Sequence, residues 1–189
     1  PQVLTFFQGN GWLHKINDAE STYAVEPKNR LMLDFYKNTI LHYLLPSAIA
    51  AIVQKRSKDD TREEDLRFLH ELAAHEFPLE EAALKEPLRN AVVGPFDRLL
   101  DNYLESYHLA GLAVTARGVG FPPSTEAMER TLSLGLELLS NRLLKHREAL
   151  STSNIRNALS FLNAKDLLKN HERLASWIEQ IRRLARETP

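Results

Sequence analysis

Cysteine is absent from all 189 residues. Disulfide frameworks, thiolate nucleophiles and Cys-rich zinc sites are therefore excluded, and a reducing compartment is compatible with the chain. A surplus of either charge is missing as well: 24 Lys and Arg stand against 25 Asp and Glu, a formal net charge of −1. Nucleic-acid binders usually face phosphate with an excess of Lys and Arg, so no nucleic-acid partner is expected. No signal-peptide pattern is present. A membrane-spanning run is lacking too. The most apolar stretch is Leu31 to Arg56, and Thr39 to Val53 within it carries no charge. A spanning helix needs about 20 apolar residues. This run is shorter and is interrupted by His42, Tyr43, Pro46 and Ser47, so it reads as a buried core helix.

The motifs of catalysis are equally scarce. A zinc protease needs two His four apart on a helix, and no pair has that spacing. His70 and His75 are five apart, on different faces. A His followed five positions later by Asp would give a general base with its orienting carboxylate. The seven histidines are followed at that position by Ala19, Ser47, His75, Glu80, Ala113, Ser151 and Ser176. His75 with Glu80 comes nearest, but Pro78 breaks the turn between them. Gly9-Asn10-Gly11 and Gly118-Val119-Gly120 are too short for phosphate loops and lack the following Lys-Ser or Lys-Thr. No hydroxyl has a placed base. The chain is thus expected to hold no catalytic residue, no metal site and no cofactor of its own.

What is present is helical periodicity. Apolar content of 43% and charged content of 26% suit a globular protein large enough for a real core, as one domain or two small ones. Pro1 stands where an initiator Met would, and Val3, Leu4, Phe6 and Phe7 resemble the tail of an amphipathic helix. A segment of a longer protein is expected. Gly9-Asn10-Gly11 stops that helix. Trp12 to Ile16 and Thr22 to Val25 then read as the strands of a hairpin, a combination suggestive of a winged-helix-like unit. From Leu31 a helix runs to Arg56, as one kinked helix or as two joined near Pro46. Thr61 and Glu64 form a capping-box signature for the next helix, whose buried face carries Leu66, Leu69, Leu72, Ala73 and Phe77.

Leu79 to Tyr107 keeps a helical pattern broken by Pro87 and Gly94-Pro95. Ala110 to Thr115 reads as a short strand. Ser124 or Thr125 caps a helix whose buried stripe is expected at Met128, Leu132, Leu136, Leu139 and Leu143. Ser151 opens another, with Ile155, Leu159 and Leu162 inward. The last helix has Leu174, Trp177, Ile178, Ile181, Leu184 and Ala185 on one side and Arg173, Arg182, Arg183 and Arg186 on the other. That pattern suits a helix packed on the domain, or one lying on an anionic membrane. The expected fold is mainly α: residues 1–27 as a helix end plus hairpin continuing from an upstream part, and 28–189 as a helical domain, with one or two short β-hairpins in all.

One segment carries more than periodicity. Asp34-Phe35-Tyr36-Lys37-Asn38, then His42, then Leu45-Pro46-Ser47-Ala48 and Ala51, resembles the C-terminal region of the membrane-associated glycerol-3-phosphate acyltransferases. Phe68-Leu69 through Glu76-Phe77 is similar to the following helix of that region. Ser151 to Leu168 resembles its closing helix and turn. Dihydroxyacetone phosphate acyltransferases share much of the motif. The resemblance implies a non-catalytic C-terminal domain of an enzyme that transfers an acyl group from acyl-CoA or acyl-carrier protein to glycerol 3-phosphate. It also implies an upstream catalytic domain as partner, contact with that domain or a membrane surface, and a place at the cytoplasmic face of a membrane. The alternative is a winged-helix-like interaction or DNA-binding module.

Overall fold

The computed structural model describes residues 2–17, 22–25, 27–77, 95–117 and 124–185, with side chains from 27 to 42 described only at Asn29 and Leu41. Two units are distinguished, Pro1–Tyr43 and Leu44–Pro189. The fold is mainly helical. Among the described residues it holds α1 (Gln2–Gly9), α2 (Pro27–Arg56), α3 (Arg62–Glu76), α4 (Asp101–Arg117), α5 (Thr125–Ser140), α6 (Thr152–Ala164) and α7 (His171–Ala185). One two-stranded hairpin, β1 (Leu13–Asn17) and β2 (Thr22–Val25), completes it.

In the first unit α1 ends because Gly11 adopts the left-handed conformation, φ +70°. Trp12 N–H then reaches back to Phe7 O (2.9 Å) and Gly11 N–H to Gln8 O (2.9 Å). Those two bonds define a Schellman stop, and its usual apolar clasp is present as Phe7 against Trp12, ring centroids 5.6 Å apart. Asn29 Nδ2 donates to Gly11 O at 2.8 Å, tying the start of α2 to the same turn. The antiparallel strands pair Leu13 with Val25 and Lys15 with Tyr23, then slip before Asn17 meets Thr22. Ile16 is the extra residue and stands 67% exposed. The hairpin is the expected one, displaced by one residue in its first strand.

The apolar stretch forms a single helix, with Pro46 inside it. Six consecutive residues, Ala48 to Val53, are at most 1% exposed, as only a helix enclosed on all sides can be. Helix α4 is enclosed in the same way and packs on α5, α6 and α7. The expected strand at Ala110–Thr115 lies inside α4. Gly111 does not break a helix there; it lets another approach. A Cβ built on it would stand 2.7 Å from Ile178 Cγ1 and 3.1 Å from the Trp177 ring of α7. The second hairpin is thus replaced by helix–helix contact.

Two further expectations are corrected. The Thr61–Glu64 capping box does not form. Thr61 has near-helical angles (φ −104°, ψ −2°), and its hydroxyl donates to Asp65 Oδ2 at 3.1 Å. The α5 stripe is also displaced: Leu136 is 54% and Leu143 71% exposed, while Ala127, Met128, Thr131, Leu134 and Gly135 are buried. Steps of four residues overshoot a helical turn by about 40°, so Met128, Leu132 and Leu136 walk from the core to the surface. Gly135 lies where α5 meets Leu109 and Leu150. Ser124 does cap α5, its hydroxyl accepting from Ala127 N–H at 3.1 Å. The expected inward residues of α6 and α7 are buried at Ile155, Leu159, Leu162, Leu174, Trp177, Ile181 and Leu184. Leu79–Gly94 and Val119–Pro123 lie outside the described residues.

Gly111→Ala gives a test of the α4–α7 approach. Helix propensity would favour alanine by about 1 kcal/mol, but overpacking against Ile178 and the rigid indole costs typically 1–3 kcal/mol. The expected outcome is a net loss of roughly 1 kcal/mol, read as a lower urea midpoint.

Candidate functional site

The polar chemistry of the second unit gathers at the buried Arg56, Asp65, Asp97, Asp101 and Glu105 and the half-buried Glu76. Arg56, at the end of α2, has a side chain fully out of solvent. Its Nη1 donates to Asp101 Oδ1 (2.8 Å) and to Leu184 O (2.7 Å), and its Nη2 to Asp97 O (2.6 Å). Lys55 Nζ donates to Asp97 Oδ2 at 2.7 Å. Burial raises the Asp97 carboxyl, but the bond and charge of Lys55, with Arg56 nearby, outweigh it and hold the group below the usual range. At Asp101 burial prevails over Arg56, and its carboxyl is pushed up.

Asp65 is completely buried on α3. Arg183 grips it with two bonds, Nη2 to Oδ1 (2.6 Å) and Nη1 to Oδ2 (2.7 Å), and Gln180 Nε2 adds a third at 3.1 Å. Burial alone would raise this carboxyl; the hydrogen bonds from Arg183 and Gln180, with the charge of Arg183, reverse that and bring it to about 2. Glu76 accepts from Tyr107 Oη (2.9 Å) and from Asn157 Nδ2 (2.8 Å), joining α3 to α4 and α6. Burial, with Glu76 beside it, pushes the Tyr107 phenol far up. Glu105 of α4 accepts the backbone N–H groups of Lys145 (3.0 Å) and His146 (2.8 Å), and so clamps the loop after α5.

Each of these residues has a partner on a different element, although Arg56 Nε is buried without a hydrogen-bond partner among the described residues. Such pairing is how buried charge is normally tolerated, and it describes struts rather than reacting groups. Among the histidines, His70 Nε2 and His146 Nδ1 are buried without a hydrogen-bond partner among the described residues. His75 packs edge-on against Phe161, ring centroids 5.5 Å apart, and Glu80 lies outside the described residues. No group of three metal-ligating side chains forms among the described residues. Gly9-Asn10-Gly11 is the helix stop described above, and Gly118-Val119-Gly120 is outside the described residues. The apolar side of α7 is buried against the domain, and two of its arginines are engaged within the protein, Arg182 with Glu179 and Arg183 with Asp65. A small hollow lined by Leu69, Leu72, Phe77, Leu100 and Tyr103, with Glu76 at its wall, is overwhelmingly apolar.

Residues 2–94 match the family model described as glycerol-3-phosphate acyltransferase C-terminal region. The chain carries the C-terminal region of a glycerol-3-phosphate acyltransferase. Comparison with curated proteins and with solved structures finds no match. The acyltransferase region takes in α1, the hairpin, α2 and α3, and it stops short of Ser151–Leu168. Its Phe35-Tyr36-Lys37-Asn38 run lies on α2, while the side chains of that run are outside the described residues. Leu45, Ala48 and Ala51 of the same motif are fully buried. Among the described residues no helix of this acyltransferase chain is long and apolar enough to cross a membrane.

Arg56, Asp65 and Glu76 escaped a reading based on apolar periodicity, although the signal was there. Asp65 and Glu76 share the helical face of Leu69, Leu72 and Ala73, and Arg56 follows Ile49, Ile52 and Val53 at the same spacing. A charge in a core-facing register has to be paired.

Arg56→Ala would strand Asp101 and two carbonyls in the interior. Removing one partner of a buried pair costs roughly 3–5 kcal/mol, to be measured by chemical denaturation. Asp65 supplies a pH signature. Its folded value of about 2 lies below the ordinary 3.8, so its stabilisation is complete above pH 4 and is lost as pH falls towards 2. The lowered value corresponds to roughly 2 kcal/mol. Asp65→Asn is expected to unfold more easily at pH 6 and to lose less stability than the parent between pH 4 and 2.

Proposed function

We propose that this chain is the non-catalytic C-terminal domain of a glycerol-3-phosphate 1-O-acyltransferase and that it supports or regulates an upstream catalytic domain. The observation that carries this reading is the family match over residues 2–94. The inward-facing charged groups of the second unit, paired between helices, favour a supporting role over a reacting one. In the reaction of the whole enzyme the sn-1 hydroxyl of glycerol 3-phosphate attacks an acyl thioester. The new ester C–O bond forms, the C–S bond breaks, and the hydroxyl proton leaves with the thiol, giving lysophosphatidic acid for phospholipid synthesis. The acyl donor is acyl-CoA or acyl-carrier protein, and the work takes place at the cytoplasmic face of a membrane. In this reading residues 1–27 continue from the upstream part and 28–189 form the helical domain.

Acyl transfer to glycerol 3-phosphate, assayed with the 189-residue chain alone and with the chain joined to its catalytic domain, tests the proposal. The joined protein is expected to turn over and the chain alone to show no rate above the uncatalysed background. Turnover by the chain alone would refute the assignment of chemistry to the upstream domain.

A further inference from the structure

The loop that follows α5 presents an apolar tip ringed with positive charge. Helix α5 ends at Ser140, and Arg142 takes the left-handed conformation (φ 57°). Leu143 N–H bonds to Leu138 O (2.9 Å) and Arg142 N–H to Leu139 O (3.1 Å), the two bonds of a Schellman stop. Glycine is the usual residue at that left-handed position because it has no Cβ to clash. An arginine there is held in a sparsely populated conformation, the kind of local strain that collects at functional surfaces.

Beyond it the chain reaches His146 in an extended conformation (φ −104°, ψ 116°), and exposure alternates along Leu143 to Arg147. Leu144 is buried at 4% exposure and His146 is half-buried, whereas Leu143, Lys145 and Arg147 point outward. Leu143 is 71% exposed, and Leu136 on the last turns of α5 is 54% exposed. The side chains of Arg142, Lys145 and Arg147 are exposed, and none has an ion-pair partner among the described residues. Three other exposed cations of the unit are paired, Arg62 with Asp59, Arg130 with Glu126 and Lys169 with Asp166, whereas Lys58, Arg156 and Arg173, like the loop's cations, have no ion-pair partner among the described residues but stand apart from one another in the sequence. Glu137 and Glu148 are the acidic groups nearest in sequence, and both have contacts of their own within the protein. The loop is held from beneath: Glu105 accepts the Lys145 and His146 N–H groups, and Ser106 Oγ lies 2.8 Å from Ala149 O.

We propose that the Leu136–Leu143 tip, with Arg142, Lys145 and Arg147 around it, docks on an anionic lipid surface. Charge complementarity names the occupant. Three exposed cations with no ion-pair partner among the described residues, set around a projecting aliphatic side chain, match an interface with negative headgroups above and acyl chains below. A protein partner would be expected to meet a broader patch with aromatic anchors, and the tip has no aromatic residue. Because the loop is already fixed, binding requires little further ordering. The surface lies beyond the residues matched to the acyltransferase family, and it goes further than the reading above by naming where a membrane would be touched.

Flotation of the 189-residue chain with phosphatidylglycerol vesicles, beside phosphatidylcholine vesicles, tests it. Binding is expected to the anionic vesicles only, and to weaken as salt is added. Each cation near such a surface is worth about fivefold in affinity, so Lys145→Ala with Arg147→Ala should lower it by roughly 25-fold, and Leu143→Ser should lower it again. Arg142→Gly separates docking from folding: it relieves the left-handed residue, so the thermal midpoint should hold or rise while vesicle affinity falls about fivefold. Equal binding to neutral vesicles, affinity unchanged by these substitutions, or capture of an acidic protein without affinity for lipid would each overturn the proposal. Vesicle binding is read without acyl transfer, so its failure would leave the acyltransferase assignment standing.

Discussion

The second unit depends on one buried guanidinium. Arg56 closes the end of α2 and there takes hold of the Asp97 carbonyl, the Asp101 carboxylate and the Leu184 carbonyl, close to the last described turn of α7. A cation with no access to water needs its charge answered; both terminal nitrogens of Arg56 are paired, while Nε has no hydrogen-bond partner among the described residues. The positions of the segment before α4, of α4 itself and of the end of α7 are thereby set by a single side chain. A lysine would supply a point charge in place of the planar fork and could not reach the same acceptors with the same geometry.

Around that hub the remaining struts follow one pattern. A carboxylate on an early helix is answered from a later one: Asp65 by Arg183, Glu76 by Tyr107 and Asn157, and Glu105 by the amides of Lys145 and His146. Apolar packing around α4 supplies most of the driving force, since burial of aliphatic and aromatic surface dominates folding. The charged struts decide which helices lie together. Most of the charged side chains buried in this unit are thus turned to its own interior.

Much of this was legible in the sequence. The existence and order of the helices followed from apolar spacing, the first stop from Gly9-Asn10-Gly11, the hairpin from two short runs around a polar turn, and the acyltransferase family from the Phe35–Asn38 run with Leu45-Pro46-Ser47-Ala48. What could not be read depended on contacts far along the chain. Gly111 resembles a helix break until Ile178 of α7 is seen against it. Leucines at four-residue steps on α5 look like one stripe, yet the true core face is set by Gly135 and by Leu109 and Leu150 pressing on it. Thr61 satisfies the pattern of a capping box, but a buried Asp65 competes for its hydroxyl and wins. In each case a local signal was overridden by a tertiary neighbour.

The long reach of the struts has a consequence for synthesis. Arg56 waits for Leu184, 128 residues later, and Asp65 waits for Arg183, 118 residues later. As the chain leaves the ribosome, α2 and α3 emerge with their most demanding polar groups unanswered, and α4 emerges with apolar surface on every side. Arg56 can meet Asp97 and Asp101, and Glu76 can meet Tyr107 and Asn157, before α7 is made, but until then Asp65 has no arginine and Arg56 lacks its last acceptor. The second unit therefore completes itself only once α7 has been made, and a chain halted before α7 is a natural client for chaperones and proteases.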